Sequence, residues 1–320
     1  MKLNHLIAKT LSELSSKTKF KRKAVLRVSL NNLIQQKQNI RKRSLSESSS
    51  NCSVSGNYKS KAKGRGIELE EIRPYNFSDD IRDIDWRVTA RKENVYTKIY
   101  NQEKDIDVYV LLDFSASMMF GSMRQLKSVA ASKVLACIAW QANANSDRFG
   151  AIVNDGMDCF SFKSNNSVNS ILSVFNKLVK ISNRKVDNKE FENKIEFIKT
   201  LDIAKSVIKS GSIVYIVSDF MNFDDNTKKY ISYIAKSNNV NLINIYDDIE
   251  RQSPKSNQYR AHIGDEDITF DTSSKSFKTE YKNHFEAKMS DIHSFCNKFR
   301  CKYHEVNNNT PIEEQLGFLR

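Results

Sequence analysis

The residues in this sequence best suited to chemistry are a carboxylate and two hydroxyls at alternating positions, Asp113, Ser115 and Ser117. They follow residues 108–112, a short apolar run that is typical of a buried parallel strand. In open α/β sheets, ligands bind at the carboxyl ends of such strands. Carboxylate and hydroxyl oxygens are hard donors, which suit Mg²⁺ or Mn²⁺ better than zinc. The segment therefore predicts a divalent-cation site that keeps an open coordination position.

The same three side chains also fit a simpler structural role. Asp and Ser at the start of a helix satisfy free backbone N–H groups, and the sequence predicts a helix over residues 123–145. Helix capping would explain the motif without any ligand.

The motif resembles the first metal-binding loop of von Willebrand factor A domains, the metal-ion-dependent adhesion site. That family takes further ligands from a Thr in a later loop and an Asp after a later strand. The resemblance implies Thr200, at the start of an apolar-faced helix, and Asp219, directly after the apolar run 212–218. The family usually has two glycines before the Thr, where this chain has Ile and Lys.

A second resemblance covers residues 64–306. Residues 64–91 carry G-x-G, R-x-Y, D-D-x-R-x-I-D-W and A-R elements, and they resemble the signature of the bacterial domain of unknown function 58 family. That family places this signature just ahead of a von Willebrand A domain. The agreement weakens around residues 246–250, where the family usually has Asp-Pro. The signature positions of greatest interest are Arg73, Tyr75, Asp80, Arg82, Asp85, Trp86 and Arg91.

Two roles fit this charged signature segment. Arginines that pair with carboxylates around a buried Trp86 would make it a structural module. Alternatively, Arg and Trp are typical of partner surfaces. The two roles are compatible.

The chain as a whole alternates predicted strands with predicted helices. Strands are predicted at 94–101, 106–113, 148–153, 158–162, 212–218, 240–246 and 301–306, and helices at 123–145, 167–181, 200–210, 226–237 and 279–300. This order implies an α/β, von Willebrand A-like (Rossmann-like) fold with a mostly parallel sheet and helices on both faces. A small N-terminal helix/β module precedes it, and residues 94–113 are predicted to form an antiparallel edge hairpin.

The charge is unevenly distributed along three predicted domains, 1–63, 64–105 and 106–320. The net charge is +13, yet residues 1–66 alone hold 16 Lys or Arg and two Glu. The first domain is therefore predicted to be a basic helical arm with a serine-rich linker. Such an arm could bind nucleic acid or an anionic membrane surface, although basic and aromatic residues are not interleaved as in RNA-binding segments.

Composition narrows the class of protein further. The sequence has no apolar run near the roughly 18 residues that a membrane span needs. Its N-terminus lacks the apolar core of a signal peptide, and its five cysteines are unpatterned. We therefore expect a cytoplasmic protein.

These observations favour a binding module over an enzyme. No G-x-S-x-G, P-loop or H-E-x-x-H motif occurs, although a metal-dependent hydrolase remains an alternative. Proteins that resemble this family are often encoded beside MoxR-type AAA+ ATPases. The resemblance thus implies such an ATPase as the partner of an adaptor or co-chaperone.

Overall fold

The structure, a computed structural model, describes residues 25–50, 63–77, 79–92, 94–101, 105–184, 197–253, 258–263, 266–272 and 274–319. The chain divides into two compact units, Met1–Leu45 with Ile106–Arg320, and Ser46–Asp105. The larger unit is an α/β domain, and the smaller one contains a two-stranded sheet.

The regular elements of the described residues are labelled here in chain order. The strands are β1 (Lys63–Pro74), β2 (Tyr96–Asn101), β3 (Asp107–Asp113), β4 (Arg148–Asn154), β5 (Cys159–Asn165), β6 (Ile213–Ser218), β7 (Asn239–Tyr246), β8 (Gln258–Ile263), β9 (Glu266–Asp271) and β10 (Lys302–Asn307). The α-helices are α1 (Leu30–Ser50), α2 (Trp86–Thr89), α3 (Lys127–Ala144), α4 (Val168–Asn183), α5 (Phe197–Val207), α6 (Asp225–Ala235), α7 (Asp248–Arg251) and α8 (Lys275–Phe299).

The larger unit is built on a six-stranded sheet with the order β10-β7-β6-β3-β4-β5. Neighbouring strands are parallel except β4 and β5, which are antiparallel at one edge. From the central strand β3, the chain adds β4 and β5 on one side and β6, β7 and β10 on the other. This is the Rossmann strand order, in which ligands bind where the order reverses. Here that switch point lies between β3 and β6.

Helices cover both faces of this sheet. Val110 and Leu112 of β3 point into a core that contains residues of α1, α3 and α4. Leu111, between them, points into a second core with α5, α6 and α8. The alternation follows from the two-residue period of a strand, and it explains why every residue of β3 is buried. The predicted fold class is therefore confirmed.

The described part of the N-terminal segment belongs to this core and is not a separate arm. Val28, Leu33 and Ile40 are buried in the first core. The indole N–H of Trp140, on α3, donates to the carbonyl oxygen of Leu33 at 3.0 Å. Helix α1 also continues to Ser50, into the stretch that we predicted to be a linker. Serine is an acceptable helix former when a packed turn precedes it.

The predicted hairpin over residues 94–113 is wrong. Strand β2 pairs with β1 in the antiparallel sheet of the smaller unit, whereas β3 pairs with β4 and β6. The antiparallel strand of the main sheet is β5. A second hairpin, β8 with β9, was not predicted. Residues 186–193, whose polar sequence predicts a loop, lie outside the described residues.

No helix among the described residues is both long enough and apolar enough to span a membrane.

The prediction that Trp86 is buried is wrong. Trp86 begins the four-residue helix α2 and is 66% exposed. The short helix has no buried residue. The other tryptophan of the chain, Trp140, is 4% exposed. Its ring packs edge-to-face against Phe175, with the ring centroids 5.8 Å apart.

These two tryptophans form a matched pair for a stability test. Trp140→Ala should lower the free energy of unfolding by about 3–5 kcal/mol, because it leaves a cavity. Trp86→Ala should change it by less than about 0.5 kcal/mol, as is usual for exposed positions. Urea unfolding followed by circular dichroism measures both. A large loss for Trp86→Ala would contradict its exposed position.

Candidate metal centre

Asp113 is the last residue of β3 and is 3% exposed. Its Oδ1 accepts a hydrogen bond from the backbone N–H of Ser115 at 2.9 Å, and its Oδ2 accepts one from the Ser218 hydroxyl at 2.8 Å. A 3-10 turn follows, in which the hydroxyls of Ser115 and Ser117 lie 3.2 Å apart. The carboxylate and the two hydroxyls thus share one loop at the carboxyl end of the central strand.

The helix-capping explanation of this motif is wrong. Helix α3 begins at Lys127, and its N-cap position is held by Leu126, which makes no side-chain cap. The carboxylate of Asp113 instead accepts from its own loop and from β6. The motif shapes a loop above the sheet and does not start the next helix.

Asp219 follows β6, the neighbour of β3 across the switch point, and is 2% exposed. Its Oδ1 accepts from the backbone N–H of Met221 at 3.1 Å, and the Ser117 hydroxyl also bonds its carboxylate. The next residue, Phe220, has a φ of 49°. Bulky residues rarely adopt this left-handed conformation, and those that do concentrate at binding sites.

Two lysines that sequence analysis missed lie against Asp219. Lys127 Nζ is 2.7 Å from Asp219 Oδ2 and 2.5 Å from Glu250 Oε1. Lys288 Nζ donates to the carbonyl oxygen of Asp219 at 2.6 Å. Burial alone would raise the pKa of Asp219, but the two ammonium charges outweigh burial and hold this pKa below its ordinary value. The only sequence signal for Lys127 was a charge at the start of an otherwise apolar helix.

Asp113 has no such compensation. Burial, and then the negative charge of Asp219, raise the pKa of Asp113 to about 6, against its ordinary value of 3.8. The hydrogen bonds from Ser115 and Ser218 act in the opposite direction and do not offset these effects. The two adjacent carboxylates are therefore unequal, with Asp219 neutralised by lysine and Asp113 open to a further positive charge.

The described contact of the Thr200 hydroxyl is outside the group formed by Asp113, Ser115, Ser117 and Asp219. Thr200 is fully buried within α5, and its hydroxyl is 3.4 Å from the Cys159 thiol at the start of β5. Strand β5 is separated from β3 by β4. The structure thus brings together Asp113, Ser115, Ser117 and Asp219, whereas the described partner of the Thr200 hydroxyl is Cys159.

The four grouped residues fit a hard cation by their chemistry, because all of their donor atoms are oxygens. Among the described residues, no group of three or more His, Cys, Asp or Glu side chains is placed to hold a metal ion. The grouped set has two carboxylates, so hydroxyls would have to complete it. Lys127 already occupies Asp219 Oδ2.

A polar network fixes the loop beside this group. Asp247 follows β7 and is fully buried, and it accepts bonds from the backbone N–H and hydroxyl of Ser122 at 2.8 and 2.5 Å. The Asn308 amide, after β10, donates to Asp247 Oδ2 at 2.8 Å. No local sequence motif indicates this network, because its members are far apart along the chain. It holds the loop after the Ser115 turn against the ends of two further strands.

In the smaller unit, two acidic residues act mainly as caps. Asp80 accepts from the backbone N–H of Arg82 at 3.0 Å, and Asp85 accepts from that of Val88 at 3.1 Å. Hydrogen bonding from the Val88 N–H is the largest effect on the pKa of Asp85, which is held below its ordinary value. These carboxylates fold the segment through its backbone.

The arginines of this unit play mixed roles. Arg73 Nη2 lies 2.7 Å from Asp79 Oδ1, and the Tyr75 hydroxyl donates to the carbonyl oxygen of Asp79 at 3.3 Å. Other signature side chains are exposed, namely Arg82, Trp86 and Arg91. The unit thus combines structural pairs with an exposed Arg and Trp surface.

A Rossmann strand order with adjacent carboxylates at its switch point defines an α/β domain of the doubly wound class. Comparison with known families places the chain more narrowly. Residues 71–291, more than half of the chain, match the family described as "Protein of unknown function DUF58". The chain belongs to this family.

Two curated relatives match one segment of the chain. The uncharacterized proteins Rv1480 of Mycobacterium tuberculosis and Mb1516 of Mycobacterium bovis are each 31% identical over 93 residues. This segment is 29% of this chain and 29% of each relative, so most of the relatives' length is unmatched.

Solved structures show weaker similarity. BatB from Bacteroides thetaiotaomicron is 13% identical, with 67% of this chain and 98% of that chain covered and a TM-score of 0.39. A von Willebrand factor type A protein from Catenulispora acidiphila is 10% identical, with 46% and 35% covered and a TM-score of 0.28. Similarity at this level carries no argument, so the fold assignment rests on the strand order itself.

Replacing Asp113 with Asn should stabilise the metal-free protein at neutral pH. Because the folded-state pKa of Asp113, about 6, lies above its ordinary value of 3.8, its stabilising contribution is full below pH 3.8 and is lost as the pH rises through 6. An isosteric Asn stays neutral. We expect a gain on the order of 2 kcal/mol near pH 7.5, and much less near pH 4. Urea unfolding in EDTA at both pH values measures it.

The control is Asp107→Asn at the opposite end of β3. Asp107 lies 2.8 Å from Arg148 Nε, so its neutralisation removes an attractive pair and should not stabilise the protein. Equal effects of the two substitutions would show that the raised pKa of Asp113 is wrong.

Proposed function

We propose that this protein is a cation-dependent protein-binding module, in which Asp113, Ser115, Ser117 and Asp219 hold Mg²⁺ or Mn²⁺. The main support is the position of Asp113 and Asp219 on adjacent strands at the topological switch point, with two hydroxyls beside them. Thr200 is left out of the proposed set, since its hydroxyl bonds Cys159. The dication, when bound, would supply an open position for a carboxylate oxygen of the partner.

The hydrogen bonds of the loop that contains Asp113, Ser115 and Ser117 favour binding over catalysis. A serine nucleophile needs an adjacent base that accepts its proton. The Asp113 carboxylate accepts from the Ser115 backbone N–H and the Ser218 hydroxyl. The carboxylate that the Ser117 hydroxyl contacts belongs to Asp219. Burial would raise the pKa of Asp219, but the pairing with Lys127 lowers it below its ordinary value and makes this carboxylate a weak base. The Ser115 and Ser117 hydroxyls bond each other. This arrangement orients the hydroxyls as weak ligands, so we propose that the protein is not an enzyme.

The partner is proposed from two sources. Chemistry favours an Asp or Glu side chain, because hydroxyl ligands leave a dication a strong acceptor for a carboxylate. The family resemblance adds a MoxR-type AAA+ ATPase as the protein that presents it, with this chain acting as an adaptor or co-chaperone. A cytoplasmic location belongs to the same proposal and rests on the cysteine pattern.

Mg²⁺ should raise the melting temperature of the wild-type protein but not that of Asp113→Ala. A ligand that binds only the folded state stabilises it by an amount that grows with the ratio of ligand concentration to Kd. Asp107→Asn, outside the site, should respond like the wild type. Differential scanning fluorimetry with and without Mg²⁺ measures the shift, and equal shifts in all three proteins would rule the site out.

Partner binding should depend on the same site. Co-expression of the tagged chain with a MoxR-type ATPase, followed by capture, should recover a complex that EDTA releases and Mg²⁺ restores. Ser115→Ala should weaken capture. Survival of the complex in EDTA and with Asp113→Ala would contradict the mechanism, and metal-dependent hydrolysis of phosphate esters or peptides would favour the hydrolase.

The basic N-terminus supports a second candidate, binding to nucleic acid or an anionic membrane. Residues 1–24 hold seven Lys or Arg and one Glu, and the described residues after them pack into the core. Deletion of residues 1–24 therefore tests the charge while every described core side chain is kept. The main proposal predicts that partner capture is retained, whereas this alternative predicts that binding to DNA or anionic vesicles is lost.

A further inference from the structure

Lys127 is the first residue of α3, and 1% of its side chain is exposed. Its Nζ donates to Asp219 Oδ2 at 2.7 Å and to Glu250 Oε1 at 2.5 Å. Lysine is almost never fully buried unless it is paired. This side chain is therefore held between two carboxylates, one of which belongs to the proposed metal centre.

The ammonium group of Lys127 lies where it would repel a cation held by Asp219. Charges a few ångströms apart interact strongly when they are shielded from water. Lys288 adds a second ammonium group, bonded to the carbonyl oxygen of Asp219. The acidic and basic side chains that meet here are Asp113, Asp219, Glu250, Lys127 and Lys288. Counted at their formal charges, these five groups carry one negative charge, so a dication would leave the cluster with one positive charge.

We propose that Lys127 sets the affinity of the proposed metal centre for divalent cations. This inference rests on the proposed function. The Lys127 ammonium group competes with the cation for Asp219 Oδ2, and Glu250 is the carboxylate that retains the lysine when a cation displaces it. With a dication bound, the cluster keeps one positive charge because Lys127 is present. An anionic group on the partner would then complete the neutralisation of charge.

A purely structural role for Lys127 makes a different prediction. The ion pairs join α3, the end of β6 and α7, and their loss would destabilise the fold. In that case Lys127→Met would lose stability and bind cations no better than the wild type. Our proposal requires lower stability together with tighter cation binding, which is a combination that structural damage does not produce.

The test is a titration of the purified full-length chain with Mn²⁺ alone, with free Mn²⁺ followed by electron paramagnetic resonance. Lys127→Met should bind Mn²⁺ at least about tenfold more tightly than the wild type, because a positive charge next to the site is gone. The matched control is Lys133→Met. Lys133 lies on the same helix but bonds the Gln125 side chain at 2.6 Å, so its removal should change the affinity by less than about twofold.

A second pair of variants covers the case in which Lys127→Met fails to fold. Removal of both members of a buried ion pair is often tolerated, whereas removal of one is not. Glu250→Gln and the double variant Lys127→Met/Glu250→Gln differ only in Lys127. The double variant should bind Mn²⁺ more tightly than Glu250→Gln, and equal affinities would overturn the proposal.

The outcomes separate this inference from the proposed function. Mn²⁺ binding that Asp113→Ala abolishes, but that Lys127→Met leaves unchanged, overturns the role of Lys127 and keeps the metal centre. Binding by Lys127→Met but not by the wild type supports the role of Lys127 and contradicts a metal-dependent function in the natural chain. Absence of Asp113-dependent binding in every variant overturns both.

Discussion

The buried ion pair between Lys127 and Asp219 is the interaction that holds together the carboxyl end of the main sheet, where the candidate metal centre lies. It joins the start of α3 to the end of β6, and through Glu250 it also reaches α7. A buried charge without a partner costs several kcal/mol, so the loss of any one of these three charges would weaken the packing of these elements. The pairing satisfies Asp219 but leaves Asp113, on the next strand, beside a second carboxylate. The edge is thus stable and still carries one unbalanced group.

The sequence predicted the parts of the fold that local patterns determine. Continuous apolar runs marked the strands of the main sheet, and the polar residues that ended two of them, Asp113 and Asp219, marked the switch point. The pairing of strands was harder to predict from the sequence. The run over residues 96–101 looked like part of a hairpin with β3, but it pairs with β1, because an apolar run does not specify its neighbour. The β8–β9 hairpin had a local signal, Gly264-Asp265 between alternating residues, that was overlooked.

The candidate site was predictable only in its oxygen donors. Asp, Ser and Ser at alternating positions fixed three of them, but Lys127, Glu250 and Lys288 meet Asp219 from distant segments and have no motif. Burial of single side chains was similarly hidden. Trp86 is exposed although it is a large aromatic residue, whereas Leu33, in the basic N-terminal segment, is buried against α3. Each case depends on tertiary packing, which local sequence does not encode.

Several strands of the sheet end in acidic residues at this edge, and comparison of their partners indicates where a cation would bind. Asp247 accepts five hydrogen bonds from described residues, and Asp155 pairs with Arg184 while it accepts two backbone N–H groups. Asp219 is paired with Lys127 through its carboxylate, and its carbonyl oxygen accepts from Lys288. Asp113 accepts from two neutral groups and adjoins another carboxylate. Of these four acids, Asp113 therefore has the least compensation for its negative charge, so it is the one that a positively charged ligand would stabilise most.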